Sequence, residues 1–412
     1  MSTHLNFEFA DEIQLNATMK VVGVGGAGGN AVDRMINSGL RGVEFITVNT
    51  DAQALERTLA PKKLQIGRLL TKGLGAGADP NKGREAAEQD AEMLTEALSG
   101  ADLVFITAGM GGGTGSGAAP KVAEIARSIG ALTIAIVTKP FAFEGNRRMA
   151  VADAGIKALR EQVDTLVVIP NQRLLSIVDA KTSFLEAFKK ADSVLNDATR
   201  GIADLITYPG IINVDFADVK AVMSGSGDAL MGIGVAVGDD RGKTAAKMAF
   251  HSPLLEEVNI AGAQGVLVNI TGSSEMTMFE MNEAISEVTA AAGEDANIIF
   301  GAVIDDNVGE EIRVTVIATG FGRKEVAPPP RPQPDLSTNF QPKRVIDLEI
   351  PTKTRRDQEA EFAKSETPSN GNGNGNGNGG NRKYITVDID ADPPDDDYNM
   401  PSFLRKKNGH RE

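Results

Sequence analysis

From residue 20 onward, short apolar runs of strand length alternate with stretches whose apolar residues recur at helical spacing. Residues 20–24, 43–48, 103–108, 132–137 and 165–169 are apolar almost throughout, the pattern of strands buried on both faces. Residues 29–38 and 118–129 read as helices, and 81–98 as one amphipathic helix with Ala86, Met93, Leu94 and Leu98 on or near one side. Strands separated by helices predict a parallel sheet covered on both faces. An α/β domain is therefore expected over 18–181, after a polar, disordered N-terminal segment, 1–17.

A long central helix is expected within 182–209, broken or continuous at Gly201 and ended by Pro209 and Gly210. Strand-like runs at 232–237, 265–270, 298–304 and 312–318, with helical runs at 242–250 and 278–291, predict a second, smaller α/β domain over 210–322. Composition then changes. Prolines, charges and an Asn-Gly repeat at 370–379 fill 323–396, a segment too poor in apolar surface to offset its ordering entropy and so expected to be a disordered linker. Residues 397–412 regain apolar content beside basic residues, which suggests a docking peptide on a tether carrying Tyr398, Met400, Pro401, Phe403, Leu404 and Arg405.

Charge and composition narrow the function classes. A net charge of −14 over 412 residues argues against sequence-independent nucleic-acid binding. With no cysteine, disulfides and thiolate metal sites are excluded, which fits a cytoplasmic protein. No run of about 20 apolar residues would insert in a bilayer, and no secretory leader is expected. The three histidines are far apart, so a histidine metal site is not expected.

The chemistry lies in glycine. Six of the nine residues from Gly109 to Gly117 are glycine, between an apolar strand and a helical run. Without Cβ atoms such a loop lets backbone N–H groups close on an anion, and the helix N-terminus adds partial positive charge. Gly111, Gly112, Gly113, Thr114 and Gly115 are thus expected to cradle phosphate. No Gly-Lys-Ser/Thr closes the loop, so it is not a Walker A motif. A second glycine cluster, Gly23 to Gly28, formally reads GxGxxG, which alone would suggest a dinucleotide.

The string GGGTGSG at 111–117 resembles the signature of the tubulin and FtsZ family. The resemblance runs from about residue 20 to 322 and returns at the C-terminal peptide. It implies a parallel-sheet GTP-binding domain joined by the central helix to a smaller GTPase-activating domain. Both glycine loops then surround one GTP, with Gly25, Gly26 and Asn30 near the α- and β-phosphates. Asn49 and Asp51 resemble the loop that senses the γ-phosphate, or form an ordinary helix-capping turn; residues 73–78 resemble a further loop near that phosphate. Glu144 and Arg148, four apart, are a surface ion pair or the family's ribose and phosphate contacts. Base choice is assigned to Asn171, Phe188 and Asp192: the ring flanks guanine, and the carboxylate accepts from its N1–H and N2 amino group. Phe188 in the core and Asp192 in solvent is the alternative.

Asn213, Asp215 and Asp218 match the family's catalytic loop, in which the two acids position the attacking water; as residue types at a helix start they are also ordinary caps. A helix of 20-odd residues spans roughly 30 Å, so these acids are expected to reach the next subunit's nucleotide. The implied function is GTP-dependent head-to-tail assembly into filaments of a cytoplasmic, mid-cell division ring. Hydrolysis then falls between subunits, with Mg2+ held mainly by phosphates and water; its direct ligands are not assigned. Expected partners are the chain itself and membrane-tethering division proteins that take the terminal peptide. Asn399 and Met400 stand there where the family often has an acidic residue and isoleucine.

Overall fold

The computed structural model describes residues 17–176, 181–207, 212, 214–255, 262–293 and 296–321. Residues 1–16 of the N-terminal segment, the linker, the docking peptide and Asn213 lie outside the described residues.

The chain forms β1 (Met19–Val24), α1 (Gly25–Asn37), β2 (Val43–Asn49), α2 (Ala52–Arg57), β3 (Lys62–Gln65), α3 (Arg68–Thr71), α4 (Pro80–Gln89), α5 (Ala91–Leu98), β4 (Leu103–Gly109) and α6 (Gly113–Ser128). Then come β5 (Leu132–Lys139), α7 (Asn146–Arg160), β6 (Thr165–Pro170), α8 (Asn171–Leu174) and the long α9 (Phe184–Thr207). Beyond it follow α10 (Phe216–Met223), β7 (Gly227–Ala236), α11 (Arg241–Phe250), β8 (Gly265–Gly272), α12 (Met278–Ala292), β9 (Asn297–Ile304) and β10 (Ile312–Thr319). The strands make one sheet in the order β3-β2-β1-β4-β5-β6-β7-β10-β8-β9. All run parallel except β10, which opposes β7 and β8. The junction of the two halves is slender: β6 pairs with β7 only at Thr165–Gly227, Leu166–Asp228 and Val167–Ala229.

The period of two decides which core each strand residue joins. Val21, Phe105, Ile134, Val167 and Ile169 face α1 and α9, together with Val194, Leu195 and Ile202. Val22, Val24, Val104, Ile106, Ala135 and Leu166 face the opposite layer, built with Leu94, Leu98, Val122 and Leu159. Leu267 and Ile317, from the second half, join the α9 face, whereas Val266, Val268, Val314 and Val316 pack under α11 and α12. Each fully buried aliphatic side chain contributes about 1.5–3 kcal/mol. The central helix thereby draws on both halves of the sheet.

One open alternative is resolved, and two expectations need correcting. Helix α9 is continuous through Gly201, because the helix presses against β10 there: a Cβ on Gly201 would stand 2.8 Å from Thr315 Cγ2. Its carbonyl also accepts from Asn269 Nδ2 at 3.0 Å. The helix expected over 81–98 is two, α4 and α5, divided at Asp90, whose Oδ2 accepts from Gly67 N at 2.6 Å. The first helix begins at Gly25 rather than 29, so the glycines form its opening turn.

Candidate functional site

Helices α1 and α6 follow directly on β1 and β4, which are neighbours in the sheet. Neither helix has a side-chain N-cap or an acidic residue in its first turn. Their N-terminal backbone N–H groups are therefore uncompeted donors, reinforced by two helix dipoles. The two turns touch backbone to backbone: Gly25 takes φ +74°, and a Cβ there would lie 3.1 Å from Gly115 N. A Cβ on Gly115 would meet Gly109 O at 2.6 Å, while Gly26 and Gly112 face open space. Glycine thus serves two ends here, close packing behind the cradle and access in front of it. Asn30, one turn into α1, is exposed.

Hydroxyls fasten the second loop. Ser116 Oγ accepts from Gly111 N at 2.8 Å, and Thr114 Oγ1 shares a 2.7 Å hydrogen bond with Thr50 Oγ1. Thr50 lies between Asn49 and Asp51, yet sequence reasoning passed it over. Asn49 Oδ1 accepts from Asp51 N at 3.2 Å, and Asp51 Oδ1 caps α2 through Gln53 N at 2.9 Å and Ala54 N at 3.2 Å. The capping turn is therefore formed. Asp51 also bridges to Leu74, which draws the 73–78 loop against it. Loops from β1, β2, β4 and the β3–α4 connection converge at the C-terminal edge of the parallel strands, where open α/β sheets bind ligands.

On the next side, Arg148 Nη1 pairs with Glu144 Oε2 at 2.9 Å, and Glu144 Oε1 accepts from Phe141 N at 2.8 Å. The arginine remains 53% exposed, and a Cβ on Gly111 would be 2.9 Å from its Cγ. The ion pair is real, and it stands against the glycine loop. Phe141 stacks on Phe143 at 5.0 Å and meets Phe188 edge-on at 5.2 Å. Asn171 opens α8 at the end of β6; it is 5% exposed and its Oδ1 has no partner among the described residues. A buried amide oxygen without a donor costs about 1–3 kcal/mol, which a ligand N–H would recover. Burial pushes the Asp192 carboxyl up to about 6, against the pull of Arg34. Arg34 gave no signal in the sequence beyond a polar place on α1. Phe188 and Asp192, one turn apart on α9, thus stand on the helix that carries base choice in the sequence reading.

Asp215 and Asp218 are not brought to this edge. Asp215 is the N-cap of α10, and its Oδ1 accepts from Asp218 N at 2.8 Å; both residues are exposed. Helix α9 runs alongside α1 in the same direction, with Arg34 facing Asp192, Ser38 Oγ donating to Asn196 Oδ1 at 2.8 Å, and Gly42 against Thr207. Its 24 residues extend about 36 Å. Beyond it, Thr165 Oγ1 bonds Met223 O, which fixes α10 near the N-terminal ends of the strands. The acids and the glycine loops occupy opposite edges of one sheet.

Two uncapped helix N-termini meeting at the C-terminal edge of a parallel sheet, with a buried amide oxygen at Asn171 unpaired among the described residues and a half-buried carboxyl at Asp192, are the marks of an α/β nucleotide-binding protein. The tubulin/FtsZ family GTPase domain matches residues 18–179, and the FtsZ family C-terminal domain matches residues 227–322. The chain belongs to the tubulin/FtsZ family of GTPases. An empty FtsZ dimer from M. jannaschii is 48% identical, with a TM-score of 0.72 over 75% of this chain and 89% of that one. An FtsZ point mutant from the same organism gives the same identity and TM-score, covering 92% of its own chain. CetZ2 from Haloferax volcanii, solved as a GTPγS-bound protofilament, shares the fold at 21% identity and a TM-score of 0.64 over 75% of this chain and 94% of its own.

Proposed function

We propose that this protein polymerises head to tail with GTP between its copies, and that each copy's Asp215 and Asp218, with Asn213, complete hydrolysis at the neighbour's nucleotide. The observation that carries the reading is the opposed placement of the two half-sites. A site with its phosphate cradle at one edge and its acids at the other is incomplete in one chain and complete in a stack. Leu74 and Phe143, 81% and 56% exposed, stand beside the cradle and the ion pair as apolar surface a neighbour would cover. Contacts of this kind do not close on themselves and give open filaments.

Within a protomer, the residues have separate tasks. The first turns of α1 and α6, Gly25, Gly26 and Gly111 to Gly115, hold the phosphates, and Arg148 adds charge at their flank. Asn30 stands near the α- and β-phosphates, and Asn49 and Asp51 near the γ-phosphate. Glu144 takes the ribose; Asn171, Phe188 and Asp192 take guanine. Among the described residues no three histidine, cysteine or carboxylate groups are gathered around a metal-sized site. Mg2+ would arrive with the triphosphate, neutralising charge that the phosphates and water ligate. The segment 18–181 acts as the GTP-binding domain and 210–322 as the activating one. The terminal peptide recruits membrane-tethering partners that place the filament at a cytoplasmic mid-cell division ring.

Phosphate release from GTP, measured across protein concentrations with pelleting of the same samples, tests the shared site. Specific activity should be near zero below a threshold and rise as polymer appears. Constant activity down to the most dilute sample would mean that one chain holds a complete site.

A further inference from the structure

On the sheet face opposite α9, where the two halves meet, lies a groove of about 280 Å³ whose apolar walls are Leu166, Val168, Leu230 and Phe321, with Ala229, which packs toward α9, between them. One rim is the Arg160–Asp228 ion pair, Nε to Oδ1 at 2.8 Å. Its volume is below the roughly 300–1,000 Å³ of small-molecule sites, and its walls offer few polar groups to orient such a ligand. Val168, Leu230 and Phe321 are each only partly buried there, an apolar strip that the described residues leave uncovered.

We infer that the groove is a seat for the start of this chain's own tail, residues 326–329, which strap the β6–β7 junction. Phe321 both lines the groove and ends the described fold, so the chain leaves from the groove's own wall. Five residues from Phe321 reach at most about 17 Å, so Val326 arrives without a long loop to close. The residues that arrive are Val326, Ala327, Pro328 and Pro329, an apolar set with two prolines whose extended form is already restricted and costs little further entropy to fix. Lys324 and Glu325, just before them, match a rim that presents one carboxylate and one guanidinium. Leu166 and Val168 come from one half of the sheet, and Leu230 and Phe321 from the other. A segment seated across both would staple a junction that holds only three residue pairs.

The absence of cysteine makes a clean test. In the full chain, below assembly concentration, Ala327→Cys supplies the only thiol, with Ser337→Cys in a separate protein as a tail control. The seated thiol should react with a bulky maleimide about tenfold or more slowly than the control. Adding Val326→Asp, which lies outside the folded core, should return it to the control rate. Equal rates for the two thiols overturn the proposal, as does slow reaction that survives Val326→Asp. Protection that grows with protein concentration would assign the groove to a second copy and overturn it too.

Discussion

Asp192 offers the sharpest test of the base pocket. Its carboxyl sits at about 6 in the free protein, against an ordinary 3.8, because burial disfavours the charge more than Arg34 restores it. Guanine presents two donors, so only the ionised form can serve it. If that form alone binds, affinity falls twofold at pH 6 and about tenfold at pH 5, relative to pH 8. The nucleotide's own phosphate titrates near pH 6, so the informative quantity is a ratio. GDP affinity of the natural protein is divided by that of Asp192→Asn, both by calorimetry on dilute samples from pH 5 to 8. At pH 8 the substitution should weaken binding by about 1.5–3 kcal/mol, or 10–150-fold. The ratio should then shrink about tenfold by pH 5.

Stability should move the other way. A raised folded pKa means ionisation costs folding energy, fully above about 6 and not at all below 3.8. The difference corresponds to roughly 3 kcal/mol at most, less once partial solvent screening is counted. Asp192→Asn should accordingly raise the melting temperature at pH 8 and lose that advantage toward pH 4. A GDP affinity ratio that is flat across the range would refute the assignment of Asp192 to the base.

Three further outcomes are expected. Gly26→Ala projects into open space, so it should fold normally yet weaken nucleotide binding, whereas Gly115→Ala meets Gly109 O at 2.6 Å and should lower the melting temperature first. Asp215→Asn keeps a competent helix cap and should bind GTP but lose turnover; mixed with Asp192→Asn, it should regain activity, because one interface in the mixed stack pairs an intact cradle with intact acids. Asp204, buried and raised to about 6 chiefly by desolvation despite Arg200, should share the pH dependence of Asp192: Asp204→Asn takes a 3.0 Å partner from Arg200 at every pH, but its melting temperature relative to the natural protein should rise as pH is raised from about 4 to 8. Thermal melts at three pH values check it.

Much of this was legible because buried parallel strands are apolar on both faces and phosphate cradles need glycine. Strand β3 escaped notice: Lys62-Lys63-Leu64-Gln65 is a four-residue edge strand with one buried side chain. Gly201 left the helix open to a break because helix propensity speaks for an isolated helix, whereas this one is held by packing against Thr315. The break at Asp90 depends on Gly67, and the β6–β7 seam joins residues some 60 positions apart; neither leaves a local trace. In the site, the glycines and Asn171 announced themselves through position, but Thr50, Arg34 and the Phe141–Phe143 stack act through neighbours that only the fold supplies.

The opposed edges joined by α9 would also make a filament keep time. In the proposed filament each interior joint, once formed, would set its nucleotide on the way to diphosphate, so the state of the nucleotide would record how long the joint has existed. The two tips would be unlike. One would present a cradle with no acids above it, so that its GTP could exchange with solution but not be spent; the other would present acids over nothing. The youngest joints and the only renewable nucleotide would then lie toward one end, giving the polymer a direction and an age gradient.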